Sequence, residues 1–259
     1  MTHILVSNDD GYKTSGLQAL VAELSQISDV TVVAPLENRS ASSSSLSVDK
    51  LVRVTKVDKS TFSVDGTPAD CVHIALTALL DIEPDIVVSG INNGANLGDD
   101  IIYSGTVGAA LEGRFLKNPA IAVSIANGCP IDYGPAAKLA SSLVKMLQSL
   151  TITSKLILNV NVPNLKREDI KGILITKLGI RERPMPAVLD SQNGRDSFYM
   201  IGAAGDAQNT YDETDFNAIA NGFVSITPIH FNYESSAELN SAQSDELLEL
   251  NKKIKDMVL

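Results

Sequence analysis

The chain has 259 residues, enough for one large domain or two small ones around a substantial core. Its 44% hydrophobic and 20% charged content is that of a folded chain and excludes global disorder. A net charge of −10, with 5% aromatics and no tryptophan, repels phosphate backbones and offers little for base stacking, so stable nucleic-acid binding is not expected.

"MTHILVSNDDG" lacks the basic stretch and long apolar core of a secretion signal. No apolar run approaches the ~18 residues of a membrane span. A cytoplasmic chain without membrane contact is the expectation. The two cysteines, Cys71 and Cys129, make no disulfide framework, and Cys71 reads as a buried reduced thiol in a helix.

In chain order, "HILVS" (3–7) reads as a buried strand. "SGLQALVAELSQI" follows as a helix with Leu17, Leu20, Val21 and Leu24 on one face. "VTVVAP" (30–35) is a second strand, and residues 51–66 alternate as a peripheral hairpin. "GTPADCV" starts a helix over about 67–80, with Thr67 at the N-cap, Pro68 in the first turn and Asp70 at the capping-box position. Strands at 85–90, 120–125 and 155–162 alternate with helices at about 104–117 and 134–150. This alternation predicts an α/β fold, a mainly parallel sheet between helical layers.

From about residue 180 the sequence is rich in Pro, Gly, Asn and Asp, which reads as an irregular β-containing extension over 181–235. "GFVSITPIHF" is a returning strand within it, and an amphipathic helix closes the chain at about 240–258. The expectation is a single domain, 1–259, with its core over 1–180 and the extension serving subunit pairing.

Ligands of open parallel sheets sit outside the carboxyl ends of the strands, so the loops there carry the chemistry. They read "NDDG", "APLENRSASSSSLS" and "INNGANLGDDIIYSGT". The adjacent Asp9 and Asp10 repel each other, and a hard cation between or beside them relieves that. Ser40 and Asn92, from the other two loops, complete an all-oxygen set. The competing reading is a polar turn before the first helix. Zinc is a poor candidate, because His3, His73 and His230 are isolated and neither cysteine has a partner at zinc spacing. Ser104 or Thr106 caps a helix whose start either receives a phosphate or is simply an ordinary terminus. Arg39 is either a phosphate ligand or a solvated arginine. The long loop carries neither a Walker ending nor a Rossmann glycine fingerprint.

Together, "SNDDG", "VVAPLENRSASSSSLS", "GTPADCV", "PDIVVSGINNGANLGDDIIYSGTVGAALEG" and "GFVSITP" resemble the SurE family of stationary-phase survival proteins. The resemblance implies a Rossmann-like three-layer core and one divalent ion, Mg²⁺ or Mn²⁺, held by Asp9, Asp10, Ser40 and Asn92. It implies that Asn96, Ser104, Gly105 and Thr106 hold phosphate, and that Asp9 and Asp10 are catalytic. It also implies a 5′-nucleotidase acting on nucleoside 5′- and 3′-monophosphates, short-chain polyphosphate trimming as a side activity, and homodimers or homotetramers. One departure is visible: the family usually has glycine after the ligand serine and asparagine later in that loop, where this chain has Ala41 and Ser44. Two rival functions remain at this point: an aspartyl-phosphate phosphatase, which needs Asp-x-Asp, and a nucleotide sensor without turnover.

Overall fold

The structure is a computed structural model that describes residues 2–126, 128, 130–152, 155–208, 213–230 and 241–257. Cys129 lies outside the described residues, as do parts of the extension and of the last helix's surroundings.

β1 (His3–Ser7) is buried along its length from Ile4 and leads through the "NDDG" turn into α1 (Ser15–Leu24). The expected stripe holds: Leu17, Leu20 and Leu24 are buried, with Val21 packed at the edge of the core. β2 (Asp29–Pro35) then pairs parallel to β1. β3 (Val54–Lys56) and β4 (Thr61–Val64) form the expected hairpin, and β4 adds parallel to β2.

α2 (Pro68–Ile74) begins with the complete capping box and continues as a π-helical turn over Ala75–Leu79. β5 (Ile86–Asn93) runs farther than its apolar run suggests and carries Asn92 and Asn93 in the strand itself, after a register shift against its neighbour. A 3₁₀ segment (Gly98–Tyr103) leads into α3 (Gly105–Glu112), which stops at Gly113, short of the expected 117. Gly113 also abuts Val87, so close packing on the sheet leaves no space for a side chain where that helix ends.

β6 (Ala120–Ile125), α4 (Gly134–Gln148) and β7 (Leu156–Val162) follow where the sequence places them. β8 (Ile173–Ile175) precedes the extension, which contains an exposed hairpin of β9 (Val188–Asn193) and β10 (Asp196–Met200), α5 (Asp215–Ala220) and β11 (Val224–His230). α6 (Ser241–Lys255) closes the chain and buries Leu250 and Ile254 in the main core.

Nine of the described strands form one sheet in the order β3-β4-β2-β1-β5-β6-β7-β11-β8. It is mainly parallel, with antiparallel pairing at β3–β4 and β7–β11. One apolar core joins the sheet to α1 and α4, and a second joins it to α2 and α3, giving three layers. The chain leaves β1 in one direction toward β2 and returns on its other side as β5, so the crevice at the carboxyl ends of these strands is the switch point of the fold. No described helix is long and apolar enough to cross a membrane.

Candidate active site

At the end of β1 the turn chemistry is carried by Asn8, not by the aspartates. Its amide donates to Gly11 O at 3.0 Å and to Thr14 Oγ1 at 3.0 Å, and its Oδ1 accepts from Gly11 N at 3.2 Å. Thr14 is the N-cap of α1, and no carboxylate caps that helix. The polar-turn reading therefore leaves Asp9 and Asp10 unexplained.

Asp9 is buried, and its Oδ1 accepts from Thr106 Oγ1 at 2.7 Å. Burial lifts its carboxyl to about 6; the Thr106 hydroxyl works against the shift and the Asp10 charge adds to it. Asp10 is raised as well, chiefly by burial, while its Oδ2 accepts from Asn93 N at 3.2 Å. Neither carboxylate takes part in an ion pair among the described residues. Like charges held together without a cation are costly, and such a pair suits a divalent ion.

The other two loops come to this pair. Arg39 N donates to Asp9 O at 2.7 Å, which sets the serine loop against the aspartates. Ser40 is exposed, with its hydroxyl on Asn38 Oδ1 at 2.7 Å. Asn92 donates from Nδ2 to Gly94 O at 2.7 Å, a bond that does not use its side-chain oxygen. The Arg39 guanidinium pairs with Asp65 at 3.0 Å through Nη2, while its buried Nε has no partner among the described residues. Ala41 has φ 58°, in the left-handed region that favours glycine, so this chain holds strain where the family's usual residue would not.

α3 closes the site from the second layer. Ser104 is its N-cap and accepts from Val107 N at 3.2 Å, while Thr106 turns its hydroxyl to Asp9. A Cβ at Gly105 would lie 2.8 Å from Asp9 Cβ and 2.8 Å from Ser42 Oγ, so glycine is what lets the helix start approach the carboxylate. Asn96 lies one strand over, with Nδ2 donating to Ser124 Oγ at 2.7 Å.

Sequence reasoning gave no role to Tyr133, whose hydroxyl is raised by burial and then by the Asp10 charge. No local motif marks it, because it arrives from the loop before α4. Two of the histidines are engaged elsewhere, His3 with Thr31 Oγ1 at 2.9 Å and His73 with Glu112 at 2.8 Å, while His230 ends β11 with its imidazole lowered by burial. Cys71 is a buried free thiol, pushed well up by burial.

Among the described residues no three His, Cys, Asp or Glu side chains gather as a metal cluster. A set of two carboxylates, a hydroxyl and an amide carbonyl is of another kind, oxygen-only and suited to Mg²⁺ or Mn²⁺.

The family described as Survival protein SurE matches residues 4–184. A relative from Nitrosococcus oceani named 5′-nucleotidase SurE is 49% identical over 237 residues, covering 92% of this chain and 94% of that one. One of the same name from Halorhodospira halophila is 45% identical over 242 residues, covering 93% and 96%. The crystal structure of the SurE protein from Aquifex aeolicus superimposes with a TM-score of 0.79 at 40% identity, covering 95% of this chain and 99% of that one.

Proposed function

The chain belongs to the SurE family, and from that premise we propose that it is a metal-dependent phosphatase of nucleoside 5′-monophosphates. Nucleoside 3′-monophosphates are a second substrate class and short-chain polyphosphate a side activity. The observation that carries the reading is the Asp9–Asp10 pair, partly buried without a cationic partner among the described residues, facing the start of α3 at the switch point of the sheet.

Asp9, Asp10, Ser40 and Asn92 are the residues that would hold the ion. A divalent cation bound there supplies Lewis-acid polarisation of a phosphoryl oxygen and offsets charge in the transfer. The chain does the rest. Asp9 or Asp10 orients or deprotonates the attacking water, which displaces the ribose oxygen in line. Backbone N–H groups at Ser104-Gly105-Thr106 and the Asn96 side chain receive the charge that builds on the equatorial oxygens. The adjacent aspartates do not form the Asp-x-Asp of a phospho-aspartate enzyme, so water is the nucleophile in this reading.

We assign the whole chain to one domain, with homodimers or homotetramers built through the extension. The test is a panel of 5′- and 3′-monophosphates and tripolyphosphate, assayed with Mg²⁺, Mn²⁺ and a chelator, beside Asp10→Asn. Phosphate release from AMP with Mn²⁺ is expected, with loss of ~100-fold or more in the chelator and in the variant. AMP binding without release under either metal would establish a sensor instead.

A further inference from the structure

Loop 94–104, which presents Asn96 and the start of α3, is gripped from behind by buried polar side chains that take no part in the chemistry above. Asn161 on β7 meets the backbone of Asn96 with both halves of its amide. Its Oδ1 accepts from Asn96 N at 2.7 Å and its Nδ2 donates to Asn96 O at 2.9 Å. Asn159, two residues earlier on the same face of the strand, donates to the same carbonyl at 2.9 Å. Two residues beyond Asn96, Gly98 N donates to Asp215 Oδ2 at 2.7 Å. The other oxygen of Asp215 accepts from Gly179 N at 2.9 Å and Phe216 N at 2.9 Å. Gly98 has φ 60°, and a Cβ there would sit 2.5 Å from the Phe216 ring, so the turn is seated against α5.

Asn159, Asn161 and Asp215 are each 0% exposed, in a strand and a helix that apolar residues would fill without desolvation cost. An apolar side chain cannot offer an acceptor and a donor to the N–H and C=O of one residue, nor draw N–H groups from two distant segments to one carboxylate. The polar choice therefore serves the shape of the loop.

We propose that Asn161 and Asp215 are positioning residues for phosphate binding: Asn161 fixes the backbone of Asn96, and Asp215 fixes the turn at Gly98. The inference rests on the phosphatase reading of the site.

The test uses Asn161→Asp, which keeps the acceptor but sets a carboxylate oxygen against Asn96 O, and Asp215→Asn, which keeps the shape but removes an acceptor. In each, KM for AMP and the inhibition constant of inorganic phosphate rise together by about tenfold, one hydrogen bond's worth, while kcat changes less. A structural role alone loses active molecules, lowering kcat with KM and phosphate inhibition unmoved, and that result overturns the proposal. Hydrogen exchange on the unmodified protein gives a reading that does not depend on the variants folding. The amides of Asn96 and Gly98 are expected to be protected without phosphate, and fast exchange at both overturns the proposal. If the unmodified protein neither releases phosphate from any nucleotide nor binds inorganic phosphate, the phosphatase reading fails and takes this role with it. Phosphate release with unchanged KM and inhibition in both variants defeats the positioning role alone.

Discussion

Asp9 is the residue at which burial, charge and function conflict most directly. A carboxyl lifted to about 6 stays protonated in the fold at a pH where the unfolded chain, near 4, has released its proton. The metal-free protein therefore has this group's full stability below pH ~4 and loses it as pH rises through 6, by roughly 3 kcal/mol at completion. Denaturant unfolding in chelator should show Asp9→Asn gaining on the unmodified protein by about that much between pH 4 and 7; a constant difference would mean that Asp9 ionises freely. Added Mn²⁺ should stabilise the unmodified protein more at pH 7 than at pH 5, because the ion competes with the proton for the same oxygens. The adjacent aspartates were legible in the sequence, but not their freedom from turn duty. That followed only from seeing Asn8 bond to Gly11 and Thr14.

Elements set the distances that side chains exploit, and α3 shows how tight the tolerance is. Gly105→Ala places a methyl 2.8 Å from Asp9 Cβ, so either the helix start or the carboxylate must move. A shift of that kind is expected to lower kcat/KM by about 100-fold with only a small change in melting temperature, measured side by side. An activity near that of the unmodified protein would show that the helix start does not need its present approach. The start of α2 was readable in full: Thr67 Oγ1 accepts from Asp70 N at 3.0 Å, and Asp70 accepts from Thr67 N at 2.9 Å. Burial opposes ionisation of Asp70, but hydrogen bonds from Ser47 and Thr67 outweigh it and hold the carboxyl low. Those Ser47 bonds tie the serine loop to α2, a contact across 23 residues that no local pattern announces.

At the scale of the molecule, the β9–β10 hairpin stands away from the core with Phe198, Tyr199, Met200 and Ile201 exposed, the last at 89%. Apolar side chains gathered on a projecting arm mark a surface made for contact. Replacing Phe198, Tyr199 and Met200 by Ser is expected to lower the mass seen in sedimentation, without unfolding the core, if this arm carries the proposed subunit pairing. An unchanged mass would move the pairing surface elsewhere. β8 and α5 escaped the sequence reading because three and six residues are too few to display a period. β11 was visible as a strand, but its insertion between β7 and β8 was not, since pairing partners are chosen by tertiary packing.

The order of strands and helices as far as β7, the capped start of α2 and the polar loops after the strands were written in local residue patterns, because periodicity and turn chemistry act over a few neighbours. Which side chains face each other across those loops was decided by the fold alone. Asn161 reaches Asn96 across 65 residues and Asp215 reaches Gly98 across 117. Such contacts exist only after the sheet has closed the distance between segments, so no stretch of the chain carries their signal by itself.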